Sequence, residues 1–172
     1  MEAEERLEIV NHKGEVIGHA LRSEIHGNPS MMHRVVHVLV FNSEGEVLLQ
    51  KRSQNKDVAP GKWDTSVGGH VAIGESLVSS SRREMYEELG VEGYEPEYLY
   101  SYTHSNAYET ELVTTYRCLI EEEFSFDGEE IDEIKFWNFD EIRGVMGKGI
   151  LSDNFEHEFI TYLEYFESGR ER

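Results

Sequence analysis

Between residues 7 and 52 short apolar runs alternate with polar turns: LEIV (7–10) and EVIGHA (15–20) flank NHKG, while RVVHVLVF (34–41) and EVLLQKR (46–52) flank NSEG. Each pair reads as strand, turn, strand. The run at 34–41 is nearly continuous in apolar residues, as expected of a central strand covered on both faces, and residues 22–33 read as a polar loop between the hairpins. Beyond the loop SQNKDVAPGK and the segment WDTSV the period changes. From Glu75 to Leu89, the residues Val78, Ser81, Met85 and Leu89 recur at three- and four-residue spacing, which predicts a helix with Gly90 as its left-handed stop. Segments 97–104 and 111–120 read as strands, the acidic loop EEEFSFDGEE separates them from IDEIKFWNF, and helices follow at DEIRGVM and at roughly 153–167. Hairpins mixed with separated helices predict an α/β sandwich with a mixed sheet. With no repeat, low-complexity tract or Pro/Gly-rich linker, the expectation is a single domain over residues 1–172.

Composition narrows the function classes. At 38% hydrophobic and 11% aromatic residues, the 172-residue chain is rich enough for a folded core. Its 16 basic against 35 acidic residues give a formal charge of −19, which repels nucleic acid and anionic membrane surfaces. A small anionic ligand is still compatible, since local cations or bound metal ions reverse the potential within a Debye length of about 10 Å. The opening MEAEERLE lacks the pattern of a signal peptide, and the longest apolar run, near VLVF, is too short to span a bilayer. The single cysteine, Cys118, excludes an internal disulfide and fits a reducing compartment, so the cytoplasm is the expected location. Oligomeric state is not legible.

Three glutamates crowd the end of the predicted helix. At about 100° per residue, Glu84, Glu87 and Glu88 share an arc of roughly 100°, offset from the face of Val78, Met85 and Leu89. One reading is a solvated acidic face. Against it, the macrodipole disfavours anions near a helix C-terminus, and Glu84 and Glu88 repel at i,i+4. The placement becomes favourable with a hard divalent cation among the carboxylates, since Mg²⁺ takes oxygen ligands and binds substrate phosphates.

Around them the stretch GHVAIGESLVSSSRREMYEELGV (69–91) meets every fixed position of G-x5-E-x7-R-E-U-x-E-E-x-G-U, with U apolar: Gly69, Glu75, Arg83, Glu84, Met85, Glu87, Glu88, Gly90 and Val91. It resembles the Nudix box. The resemblance implies an α/β/α sandwich in which this loop and helix hold Mg²⁺ or Mn²⁺ against a diphosphate that water attacks. Glu84, Glu87 and Glu88 would serve as metal ligands and base, Arg83 would orient a glutamate, Glu75 would steady the loop through Arg83, and the loop at Gly69 would offer a carbonyl to the metal. Read alone, Arg83 is an ordinary i,i+4 partner of Glu87.

Outside the box, the N-terminal hairpin, KRSQNKDVAPGKWDTSVGGH and YETEL resemble the type I isopentenyl diphosphate isomerase branch, over most of the chain. That resemblance implies a second divalent metal, Mn²⁺ or Zn²⁺, held by His26, His33, His70, Glu109 and Glu111, and diphosphate contacts at Arg22, Arg52 and Lys56. Taken singly, those histidines read as loop or surface residues and those cations as solvated surface groups. The pattern also breaks. Where the isomerase keeps its catalytic cysteine, this chain has Gly68; where the isomerase has a basic residue, it has Glu84; and Asn154 stands in place of a tryptophan. Cys118 lies in a predicted strand far along the chain and is no substitute. The expected activity is therefore metal-dependent cleavage of a diphosphate linkage in a small molecule of nucleoside-diphosphate or related type. The alternatives are a prenyl diphosphate isomerase, or a non-catalytic module that binds a diphosphate.

Overall fold

The computed structural model describes residues 4–170, with side chains described to residue 167; Met1–Ala3 of the MEAEERLE opening lie outside the described residues. In chain order the elements are β1 (Arg6–Val10), β2 (Val16–Leu21), α1 (Arg22–Ile25), β3 (Met32–Phe41), β4 (Val47–Arg52), β5 (Trp63–Asp64), β6 (Val67–His70), α2 (Leu77–Leu89), β7 (Glu97–Ser105), β8 (Thr110–Leu119), β9 (Ile131–Trp137), α3 (Phe139–Val145) and α4 (Asp153–Arg170).

β3 is central, as its apolar run implied. Along one edge it runs parallel to β8, from Met32↔Thr110 to Phe41↔Leu119. Three strands share its other edge: β1 at His33, β6 over Val35–Val38 and β4 at Phe41. The pair 34–41 and 46–52 is thus joined as a hairpin only at its turn, because β6 occupies the edge that a full hairpin needs. β4 instead runs against β9, from Val47↔Trp137 to Arg52↔Ile131, and against β5. The front hairpin of β1 and β2 forms as expected.

Side-chain alternation along β3 feeds two cores. Val36, Val38 and Val40 pack with Met85 and Leu89 of α2 on one side of the sheet. Leu39 packs on the other side in a cluster with Ile142 of α3 and with Phe155 and Phe159 of α4. The result is a helix–sheet–helix sandwich with a mixed sheet. No helix among the described residues is long and apolar enough to cross a membrane.

Two boundaries differ from the sequence reading. α2 begins at Leu77 because Ser76 caps it, its side chain accepting from the Ser79 amide at 3.1 Å. Glu75 therefore lies in the preceding loop. The 22–33 segment holds the single turn α1, and β3 starts at Met32, where Met32 and His33 are already buried. At the other end of α2, Gly90 takes the left-handed conformation (φ 69°) and its N–H closes on the Tyr86 carbonyl.

Candidate active site

α2 lies across β6 so that its carboxylate edge meets the backbone of SVGGH. Glu84 rests against Gly69: a Cβ at position 69 would stand 2.2 Å from the Glu84 Cδ, so only glycine permits this approach. One turn on, Glu88 accepts from Gln50 Nε2 at 2.7 Å and from the Gly68 amide at 3.2 Å. Arg83 ties loop to helix. Its Nε and Nη2 donate to the two oxygens of Glu75 at 2.9 and 3.0 Å, Nη1 to Glu84 at 2.8 Å and Glu87 at 3.1 Å, and Nη2 to the His70 carbonyl at 3.1 Å.

The electrostatics separate the glutamates. Hydrogen bonding to Arg83 holds the Glu75 carboxyl down to about 2. Burial pushes Glu84 up and outweighs the attraction of Arg83. Glu88 is raised well above the carboxylate range by burial and then by the charge of Glu84. Glu87 is exposed. Two half-buried carboxylates held against charging by burial, and in Glu88 also by the charge of Glu84, fit a divalent cation, which would reverse both causes.

The second set of five converges from four segments. One ring nitrogen each from His26, His33 and His70 lie within 4.8 Å of one another, as do ligand atoms of His33, Glu109 and Glu111. His26 Nε2 is 3.3 Å from Glu109 Oε2, and His33 Nε2 is 3.8 Å from Glu111 Oε2. The register explains the meeting: His33 pairs with Glu111 in β3–β8, and β6 ends at His70 opposite Val35. His26 Nε2 and His33 Nε2 are buried with no hydrogen-bond partner. Burial, then His70 and His26, press His33 down to about 3, so it is a neutral imidazole; burial, then Glu111, lift Glu109 to about 7. Orphaned imidazole nitrogens beside carboxylates form a donor set that fits a borderline divalent metal.

Glu84, Glu87 and Glu88 line one cleft of about 500 Å³ together with His26, His70, Glu109 and Glu111, while His33 lies buried behind its wall; Arg22, Arg52 and Lys56 line the cleft too. None of these cations is free of the protein: Arg52 binds Asp64 at 3.3 Å and the Val58 carbonyl at 2.8 Å, Lys56 pairs with Glu130, and Arg22 Nε lies 3.5 Å from His26 Nδ1. Position 68 is bare: a Cβ there would meet His37 Cδ2 at 3.1 Å. Cys118 is buried in the core on the α2 side, where burial raises its thiol, and it does not line the cleft. Asn154, at the start of α4, donates to Glu111 Oε1 at 2.9 Å.

Several participants went unnoticed in the sequence. Gln50 sits in a strand with no motif around it. Glu8 of β1 accepts from Arg34 Nη2 at 3.3 Å and from the Gly74 amide at 2.8 Å, pinning the loop that carries Glu75. His37 and Glu158 meet under the cleft at 2.9 Å across 121 positions of sequence, beyond the reach of any local spacing.

A family model described as NUDIX domain matches residues 31–157. Nudix hydrolase 3 of Arabidopsis thaliana is 31% identical over 161 residues, which are 85% of this chain and 21% of that protein. This chain therefore spans about a fifth of that relative's length. An isopentenyl-diphosphate Delta-isomerase of Streptomyces avermitilis is 30% identical over 164 residues, 92% of this chain and 81% of that one. Among solved structures, a Deinococcus radiodurans protein superposes with a TM-score of 0.74 at 28% identity, over 86% of this chain and 92% of the other.

Proposed function

The chain belongs to the Nudix family, and from that premise we propose that it is a metal-dependent hydrolase of a diphosphate linkage in a small molecule. The observation that carries this reading is the complete carboxylate edge of α2, with Glu84 seated on Gly69 and Glu88 held by Gln50 and the Gly68 amide in the wall of the cleft. Glu84, Glu87 and Glu88, with the Gly69 carbonyl, hold Mg²⁺ or Mn²⁺. Such an ion would supply charge neutralisation of the diphosphate and a lowered pKa for water. Arg83 fixes Glu84 and Glu87 from α2 and Glu75 from the loop, so the carboxylates keep one arrangement as substrate enters. Glu88, the most deeply held of the three, is the base that takes the water's proton. Arg22, Arg52 and Lys56 contact the phosphates. His26, His33, His70, Glu109 and Glu111 would hold a second divalent ion, Mn²⁺ or Zn²⁺, able to position the substrate.

A second reading, isomerisation of a prenyl diphosphate, is favoured by the similarity to the Streptomyces isomerase and by the convergence of those five residues. Position 68 opposes it, since glycine moves no proton. The deciding test incubates the protein with a panel of nucleotide, sugar and prenyl diphosphates, with Mg²⁺, Mn²⁺ or EDTA. Phosphate or nucleotide release that needs the metal supports hydrolysis. Deuterium uptake from heavy water into isopentenyl diphosphate, without release, overturns it.

A further inference from the structure

On the face of β3 that looks towards α4, Val35 and Leu39 are apolar and His37 between them is not. Its side chain is only 4% exposed. Beneath it lies Glu158 of α4, wholly buried, which accepts from His37 Nδ1 at 2.9 Å, from Thr115 Oγ1 at 2.7 Å and from the Tyr100 hydroxyl. A buried ion pair is weak evidence for stability, and this one occupies only one of the two ring nitrogens of His37. His37 Nε2 makes no hydrogen bond among the described residues, and the residue lines the cleft. It faces Gly68, where a Cβ would stand 3.5 Å from Nε2, and the amide of that same Gly68 donates to Glu88. Glu88 and His37 thus flank one glycine.

We propose that His37 is a further catalytic residue of the hydrolysis inferred above, its Nε2–H donating a hydrogen bond to a non-bridging oxygen of the diphosphate on the side of the cleft away from α2. Glu158 fixes the ring's orientation from Nδ1 and stabilises its positive charge, the division of labour that a carboxylate–imidazole pair supports in other hydrolytic sites. The contact offsets charge on the phosphoryl group without a proton transfer, since a phosphate leaves as an anion. Gly68 is then more than a missing thiol: its lack of a side chain opens the space above the imidazole.

The test has two independent arms. In the first, kcat and KM are measured with Mg²⁺ on a hydrolysed diphosphate. His37→Phe is expected to lose at least about thirtyfold in kcat/KM, mostly in kcat, with partial recovery in His37→Gln, whose amide still donates. In the second, wild-type protein with ¹⁵N-labelled histidine is titrated with methylenediphosphonate and Mg²⁺; the His37 Nε2 resonance is expected to move, and to move less in Gly68→Ala. A folded His37→Phe variant within threefold of wild type in kcat/KM overturns the proposal, and so does a folded His37→Gln that loses as much as His37→Phe. So does a silent Nε2 signal at the highest analogue concentration, which also decides the matter if no His37 variant folds. If wild-type protein hydrolyses no diphosphate, the hydrolase reading falls by itself, and the resonance still reports whether the contact exists.

Discussion

At position 69 a single hydrogen separates the backbone of β6 from the carboxylate of Glu84. A methyl group placed there would overlap Glu84 Cδ at 2.2 Å, and the backbone of Gly69 cannot retreat because β6 is paired to β3. Gly69→Ala is therefore expected to swing Glu84 aside, with at least about a tenfold loss of turnover, while circular dichroism shows an intact fold. Glu88→Gln keeps the size of the side chain and one acceptor for Gln50 or Gly68, but it removes the charge. It is expected to lose about a hundredfold or more in turnover in a folded protein. Near-normal turnover of that variant, measured by phosphate release, would remove Glu88 from the mechanism.

At the scale of elements, the loop between β6 and α2 is packed into the core at Val71 and latched by hydrogen bonds beyond it. Arg83 grips Glu75 through two hydrogen bonds at 2.9 and 3.0 Å, and Glu8 holds the Gly74 amide at 2.8 Å. The Glu75 carboxyl lies at about 2 against an ordinary value of 4.5, so the latch stabilises the fold fully above about pH 4.5 and loses its contribution as pH falls towards 2. Glu75→Gln is expected to lower stability at pH 7 by roughly 1–3 kcal/mol, after allowance for solvent screening. The gap between variant and wild type should close in melting curves taken down to pH 2; a gap constant across that range would assign the loss to packing instead. Much of this element level was legible in the sequence. Val78, Met85, Leu89 and Gly90 have helical spacing and a stop, and the box residues lie within one stretch where short-range geometry governs. The 34–52 pair closes as a hairpin only at Phe41↔Val47, and spacing along the chain does not reveal that β6, residues 67–70, inserts beside β3. His26, His33, His70, Glu109 and Glu111 were gathered by resemblance alone, since they come from segments that periodicity cannot join. Gln50, Glu8 and Glu158 carried no signal, because each acts on a partner distant in sequence.

Over the whole molecule, the proposed function asks a chain of formal charge −19 to receive a polyanion into a cleft whose cations are already engaged by Asp64, Glu130 and His26. Arginine and lysine alone leave such a cleft acidic, so on that proposal divalent ions would carry the neutralisation. Mg²⁺ or Mn²⁺ is therefore expected to raise the melting temperature of the metal-free protein, by an amount that grows with ion concentration. His33→Ala should reduce the Mn²⁺ response and leave the Mg²⁺ response of the α2 carboxylates largely in place. Equal responses in variant and wild type would dissociate the histidine cluster from metal binding.

On the proposed function, water attacks phosphorus in a diphosphate held between α2 and β6. The most direct measurement follows a diphosphate substrate in ¹⁸O-labelled water with Mg²⁺ by ³¹P NMR, for wild type and Glu88→Gln side by side. The expected result is one ¹⁸O atom in one phosphate product of the wild type, none in the recovered substrate, and near silence from the variant. Substrate converted to an isomer with its diphosphate intact and unlabelled, or equal label from both proteins, would rule out hydrolysis driven by Glu88.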